Sequence, residues 1–486
     1  MLVHDSSSTA PAKPQALHTG PATPASHGAA AEPTDTVHVA SYVDHVPALA
    51  QVGEHLGLAA NGVAGPSEAG EHPGSIPGAH PTAASAAAGP AKKAPAGYSA
   101  FTQQYRQDFG HWNSLTGNKG YLTNNDINKL MQDPSIKGNE AAALGSVRQI
   151  ADRYTNMAGT TVKFTAHGAS ATNTSGGAGG GFFGGGTTTR TDSKLLDEDK
   201  PDIGQSYLNG QQKTAETPHT LFANGKPDWQ ALKQGGSGDC YWMSTLDDEA
   251  KADPNAIKNM IHDNQNGSYT VNFKGTKPVT VQAPTDAEIA AFGGSGKDGL
   301  WGSVMEKAYG QSRINNFQNM ENPGAGGEPF EGANFGGQST DATETLTGHK
   351  ANNISNHLSN QRYGAQLQSD LQHHDLLVAS TQGAPPFSKT GLEPDGLPYG
   401  HDLSVIGFNP KNDEVEVRNP WGSNGYHNAE QPKDAASLVN GQSGIFWMKL
   451  NNFRQDMPEV SQETSGKFYQ AGPVATPIQP LKLASG

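Results

Sequence analysis

Phe101, Tyr105, Phe109 and Trp112 recur at helical intervals, which predicts a helix starting near Tyr98 with one aromatic, core-directed face. After the turn TGNKG, Thr123 stands before Asn124-Asn125-Asp126 as a helix cap, and the helix is expected to run through Met131. A further helix is predicted from about Asn139 to Met157. Downstream, Asp239 to Ala252 reads as a helix that stops before Pro254, and Pro254 to Asp263 as another. Ser268 to Phe273 and Pro278 to Gln282 alternate as strands around a KGTK turn. Gly299 to Tyr309 (GLWGSVMEKAY) has the pattern of an amphipathic helix. Leu376–Ser380, Asp402–Phe408, Glu414–Arg418 and Ile445–Leu450 are strand-like. Helices dominate the first half and strands the second, which points to an α+β fold.

Composition limits how much of the chain can follow that pattern. Hydrophobic residues make up only 34% of 486 residues, with 60 glycines and 32 prolines, too little apolar material for a packed core throughout. Residues 1–95, dominated by Ala, Pro, Gly, Ser and His, read as a disordered low-complexity region, with one short amphipathic helix possible over Ser41–Asn61 but interrupted at Pro47. Residues 96–167 form the small helical module. Residues 168–194 read as a Gly-rich linker that lacks the GK[ST] ending of a phosphate loop. Residues 195–470 are globular, and 471–486 a tail. A formal charge of -14 argues against nucleic acid or an anionic membrane as partner. The start, MLVHDSSSTAPAKPQ, has no basic flank and apolar run of a secretory signal, and no stretch reaches the roughly 18 apolar residues of a spanning helix. The compartment stays open between cytoplasm and export as an effector, since a Ser-, Thr-, Pro- and Ala-rich start also suits an unfolded export signal.

Several clusters invite a chemical reading. SLTGNKGYLTNNDINKL has the outline of a calcium-loop helix pair, with Gly120 at the turn and Asp126 at the closing position. Leu115, Gly117 and Lys119 stand where such a loop needs side-chain oxygens, so the module is a degenerate, EF-hand-like unit without metal. His373-His374-Asp375 is expected to be a surface pair, because adjacent strand residues face opposite ways. Asp247-Asp248-Glu249 is expected to be a solvated helix face.

Cys240 is the only cysteine, which excludes a disulfide framework and any multi-cysteine metal site. It falls at the first turn of a predicted helix, where unpaired N–H groups and the helix dipole favour thiolate over thiol. The Gly-Ser-Gly before it would let a substrate backbone approach. A lone cysteine can equally be a small buried apolar residue. His401 opens the strand HDLSVIGF, and Asn419 ends EVEVRN, close enough for a hairpin to bring the two together. Cysteine, then histidine, then asparagine is the chain order of papain-like proteases.

The local words add specificity. QGGSGDCYWMSTL resembles the nucleophile motif of the calpain family, with Tyr241 in place of the usual Trp. LWGSVMEKAYG resembles that family's L-E-K-A-Y helix, with Met305 for Leu. FEGANFGGQ resembles its F-x-G-G segment. GHDLSVIGF resembles G-H-A-Y-S-V, departing at Asp402 and Leu403. VRNPWG contains the family's R-N-P-W-G, and GIFWMKLNNF resembles its final G-E-F-W-M segment. The resemblance spans the catalytic core alone, as in a bacterial-type calpain-like protein, with no counterpart of the family's C-terminal β-sandwich or penta-EF-hand domains. It implies a two-lobed papain-like core acting as a cysteine endopeptidase on protein or peptide substrates, with self-cleavage possible. It further implies Cys240 as nucleophile, His401 as base, Asn419 as the residue that orients it, Gln234 as oxyanion donor together with the Cys240 backbone N–H, and Trp421 as a shield over the His–Asn bond.

One departure bears on cofactors. The family binds calcium in each lobe. Where its second-lobe site takes acidic side chains, this chain has Ser423, Gly425, Ser443 and Ile445. Ala231 replaces a first-lobe acid, though Asp228 is near, and the resemblance offers Glu328 or Glu331 as that site's partner acid. A hard cation needs several oxygens, preferably charged. No metal or other cofactor is therefore expected. Two other function classes compete: a catalytically silent calpain-like binding or effector module, and a transglutaminase-like acyl transferase. The intact Cys240, His401, Asn419 and Gln234 argue against the first, and the N-P-W-G word against the second.

Overall fold

The aromatic row of the first helix is buried as its spacing predicts. A computed structural model describes residues 96–155, 160–175, 188–192, 196, 200–316, 329–334, 336–383, 397–422 and 444–464. The expectations for 1–95 and 471–486, and for Glu328, Ser423, Gly425 and Ser443, lie outside these residues. In α1 (Ala96–Leu115), Phe101, Tyr105, Phe109 and Trp112 all face the core. Burying each such ring contributes about 1.5–3 kcal/mol, more than the differences in helix propensity along the segment. α2 (Asn124–Met131) starts at Thr123 with a capping box, Thr123 accepting from the Asp126 N–H and the Asp126 carboxylate accepting from the Thr123 N–H. The Lys119 ammonium donates to both oxygens of Asp126, at 2.8 and 2.7 Å, so a side-chain cation already fills the loop's closing carboxylate. α3 (Gly138–Thr155) completes the helical trio and is tied to α1 by the Trp112 indole N–H on Glu140.

Next come β1 (Thr160–Thr165), β2 (Gly168–Ser175) and β3 (Thr188–Asp192), an antiparallel sheet in the order β1-β2-β3. Residues 168–175 and 188–192 are therefore strands where the sequence reading expects linker. The threonines there are β-branched and pair well across a ladder, a preference that the glycine-rich composition between them masks. α4 (Lys200–Glu216) follows. It packs with α1 and α3 into one core that also takes in Ala287, Ala291 and Phe292 from far downstream. The boundary drawn from composition between 167 and 195 thus has no counterpart in the packing.

α5 (Cys240–Ala252) and α6 (Pro254–Met260) are separated by Asp253, whose carboxylate caps α6 ahead of Pro254. α6 stops short of its predicted end because β4 (Ile261–Asp263) pairs with β5 (Ser268–Val271), which pairs in turn with β6 (Val279–Gln282). α7 (Asp286–Ala291), α8 (Trp301–Asn316), α9 (Glu331–Asn334) and α10 (Ser339–Thr347) complete this helix-rich part. Its core includes Trp242 stacked on Tyr309 at 3.9 Å between ring centres.

The strand-rich part holds β7 (Lys350–Asn353), α11 (Asn360–His373), β8 (Leu377–Ser380), β9 (Asp402–Asn409), β10 (Glu414–Arg418), β11 (Ile445–Lys449), α12 (Leu450–Asp456) and β12 (Glu459–Thr464). Its six strands form one antiparallel sheet in the order β11-β10-β9-β8-β12-β7. His373 ends α11 and His374 is its left-handed cap at φ 58°, so the histidine pair belongs to a helix terminus and not to a strand. The mixed helix and sheet content is α+β. No helix among the described residues is long and apolar enough to cross a membrane.

Candidate active site

Three segments meet at the predicted site: the start of α5, the β9–β10 hairpin, and the stretch from Lys233 to Gly238. α5 runs against β9. The Ser244 hydroxyl donates to the Asp402 carbonyl at 2.9 Å, and the Ser404 hydroxyl donates to the Ser244 carbonyl at 2.9 Å. Cys240 is the first residue of α5 and is part-buried.

His401 and Asn419 meet across the hairpin. His401 Nε2 lies 3.0 Å from Asn419 Oδ1, and both side chains are buried. The amide orientation of Asn419 is fixed by a second contact. Its Oδ1 also accepts the Trp421 N–H at 3.0 Å, so Oδ1 is an acceptor and Nε2 must carry the imidazole proton. The Trp421 ring lies 4.3 Å from the imidazole, tilted by 37°, over the same bond. His401 is held from behind by Thr381, the residue after β8. Its Oγ1 accepts the His401 N–H at 2.9 Å, and its own N–H donates to the His401 carbonyl at 2.9 Å. Two tight turns bring the pair into place, with Gly400 at φ 59° and Gly422 at φ 66°.

Gln234 is buried beside this hairpin. Its backbone N–H donates to the Pro420 carbonyl at 2.8 Å, and its Nε2 to the Ser237 carbonyl at 2.7 Å. On the other side, Lys233 and Gly294 exchange two backbone bonds at 2.9 Å, and the Gly236 N–H donates to the Ala291 carbonyl at 3.0 Å. The first two glycines of the motif serve this packing. A Cβ on Gly235 would lie 2.1 Å from the Phe292 carbonyl carbon, and one on Gly236 would lie 2.8 Å from Gln149 Cγ. The sequence reading gives the motif's glycines to an approaching substrate. At Gly235 and Gly236 it is the protein's own backbone and a helix of the N-terminal module that approach.

The electrostatics also differ from the expectation. Burial, then the Asp402 carboxylate, then that of Asp239 push the Cys240 thiol well above its ordinary value, against the pull of backbone N–H groups at Asp402 and Tyr241. Asp239 itself is pushed up to about 7 by burial, and Glu306 well above the usual carboxylate range by burial and by Asp239.

The acidic run on α5 is not a solvated face. Asp247, Asp248 and Glu249 are all buried. Asp247 pairs with the fully buried Arg418 at 2.5 Å and accepts from Ser404 at 3.1 Å. Asp248 accepts the Leu377 N–H at 2.7 Å. A helix inserted between two other layers has no water-facing side, and its carboxylates are tolerated there because each of these two meets a donor. Arg418, immediately before Asn419, also donates to the Leu232 carbonyl at 2.6 Å. One ion pair therefore joins α5, β10 and the Gln234 segment. Thr381 and Gln149 had no signal in the sequence, since neither lies in a spaced motif with the residue it supports, whereas Asp402 stood out as a departure within the word GHDLSVIGF.

Among the calcium-related positions, Ile445 begins β11 with an apolar side chain and pairs with Arg418. Ala231 ends a short 3-10 turn, and Asp228 caps that turn by accepting the Gln230 N–H at 3.0 Å. No group of three or more His, Cys, Asp or Glu side chains suited to a metal occurs among the described residues. Of those positions, Ile445 and Ala231 carry no side-chain oxygen.

The sequence profile of the calpain family cysteine proteases matches residues 211–461. That is more than half of the 486-residue chain. The chain belongs to the calpain family of cysteine proteases. No curated protein matches it.

Proposed function

We propose that this chain is a cysteine endopeptidase of protein or peptide substrates, with a two-lobed papain-like core over about 195–470, working through Cys240, His401 and Asn419. The observation that carries the reading is the buried 3.0 Å contact between His401 and Asn419 beside the helix that starts with the only cysteine. With the proton on Nε2 held by Asn419, the basic nitrogen is Nδ1, and it takes the thiol proton as sulfur attacks the peptide carbonyl. Because the resting thiol is pushed up, that proton leaves during attack and not before it. The imidazolium then protonates the leaving amine. Water, deprotonated by His401, releases the acyl group. Gln234 Nε2 carries two hydrogens, one spent on Ser237. The other, with the Cys240 backbone N–H, meets the oxyanion. Trp421 keeps water from the His–Asn bond. Catalysis proceeds without calcium, since alignment comes from the packing around Arg418 and Gln234.

The test is hydrolysis of a denatured protein by the purified chain, with Cys240→Ala alongside. Loss of both cleavage and thiol-alkylator labelling in that variant is expected, and full cleavage would exclude the mechanism. Product analysis in the presence of an amine acceptor separates hydrolysis from acyl transfer.

A further inference from the structure

Part of what braces the Gln234 turn comes from outside the family match. α3 ends well before residue 211, yet its Gln149 side chain lies against the loop that leads to the nucleophile. Gln149 Nε2 donates to the Ala291 carbonyl at 3.2 Å, the same carbonyl that accepts the Gly236 N–H at 3.0 Å. Its Oε1 accepts the Ser206 hydroxyl of α4 at 2.7 Å. The would-be Cβ of Gly236 lies 2.8 to 2.9 Å from Cγ, Cδ and Nε2 of Gln149, so the amide rests directly on the Gly236 α-carbon.

α2, α3 and α4 are anchored to the same place. Thr285 Oγ1, at the cap of α7, donates to the Met131 carbonyl at 2.5 Å, and Lys137 pairs with Asp286 at 3.0 Å. Gly145 lets α3 close on Ala290 and Ala291, where a Cβ would meet their atoms at 3.0 to 3.2 Å. The Lys213 ammonium of α4 donates to the Phe292 carbonyl. The turn from Gln234 to Ser237 is therefore clamped between Pro420 on one side and α3, α4 and α7 on the other.

We propose that Gln149 is a positioning residue for the oxyanion donor, and that the N-terminal helices act as a built-in brace for that loop. This rests on the role given to Gln234 above. Gly236 has no side chain of its own to define its place. Without the Gln149 amide the turn gains room to move, and Gln234 moves with it. Catalysis is sensitive to that, because a displacement of about 1 Å at a reacting group can cost on the order of 100-fold in rate.

Two full-length variants test it. Gln149→Met keeps the side-chain length and loses both hydrogen bonds. Gln149→Glu keeps an acceptor for Ser206 and loses the donor to Ala291. Both should lower kcat for a peptide by about tenfold with KM little changed, as expected for an interaction that matters in the transition state. The rate of Cys240 alkylation by iodoacetamide, which forms no oxyanion, should stay unchanged, while the thermal midpoint falls by only a few degrees for the lost hydrogen bonds. In a Gln234→Ala background, Gln149→Met should lower kcat no further, since the donor it places is already gone. Unchanged kcat in both variants overturns the proposal. So does a parallel fall of kcat, alkylation and thermal midpoint, or an undiminished effect in the Gln234→Ala background. If the parent chain shows no Cys240-dependent hydrolysis, the proposed function fails and this proposal with it. An active parent with unaffected Gln149 variants removes this proposal alone.

Discussion

Asn419 Oδ1 accepts from two donors at 3.0 Å, the imidazole of His401 and the backbone of Trp421, and the second bond fixes the amide that holds the ring. Asn419→Ala should therefore lower kcat while leaving a folded chain whose thiol still labels. A wild-type rate would remove Asn419 from the site. Gln234→Ala should lower kcat by about 100-fold to 1000-fold, the loss seen when a side-chain oxyanion donor is deleted, with little change in KM. A small loss would leave the Cys240 backbone N–H as sufficient donor. The carboxylate of Asp402 beside Cys240 gives a third expectation at this scale. A thiol pushed upward by burial and by a neighbouring negative charge remains protonated at neutral pH, so its alkylation rate should keep rising as the solution becomes alkaline. A plateau reached below neutrality would mean a preformed thiolate–imidazolium pair. It would also show that the helix start outweighs Asp402.

At the scale of elements, α5 is held between the two halves of the site by a buried ion pair. Asp247 and Arg418 are fully buried, and the guanidinium also serves the Leu232 carbonyl. Burial pushes the Asp247 carboxyl up to about 6 despite Arg418, so it is ionised at neutral pH and the pair is intact. Removing one partner strands the other charge, and Asp247→Ala should cost about 3–5 kcal/mol in denaturant unfolding. A loss below about 1 kcal/mol, the range of exposed pairs, would show that water reaches the site. The capped helix after Thr123, the helix beginning at Cys240 and the strand Glu414–Arg418 were legible in the sequence because local periodicity and capping chemistry match the tertiary environment. The burial of Asp247, Asp248 and Glu249 was not, because a run of acids looks the same whether its donors are water or a distant strand.

For the whole molecule, buried carboxyls set the response to pH. Asp239, Glu249 and Asp370 are each pushed up to about 7, in every case chiefly by burial. An unfolded carboxyl titrates near about 4, so between about pH 4 and 7 the folded chain keeps protons the unfolded chain has lost. Their contribution is fully present at the acid end and is lost as pH rises through 7. Lys213, pulled down to about 8 by burial, works oppositely but only at higher pH, its contribution lost as pH falls through that value. The thermal midpoint should then rise between about pH 7 and pH 5.5, and a fall over that window would mean that water or a bound cation neutralises these groups. Activity should also persist in excess chelator. Abolition by chelator with recovery in calcium would show that oxygens other than those at the family's calcium positions hold the ion.

The chain by itself determined its family and which residues are the candidates for its site. Cysteine, histidine, asparagine and their flanking words are local chemistry, and local chemistry is written in order along the sequence. Tertiary structure decided what holds those residues still. Thr381 reaches His401 from the end of one strand to the start of the next, Arg418 reaches Asp247 from strand to helix, and Gln149 reaches Gly236 from a helix beyond the family match. Each of these contacts joins segments separated by many residues with no periodic relation between them. Only the closing of the fold brings them within hydrogen-bond distance, so no spacing rule could have announced them.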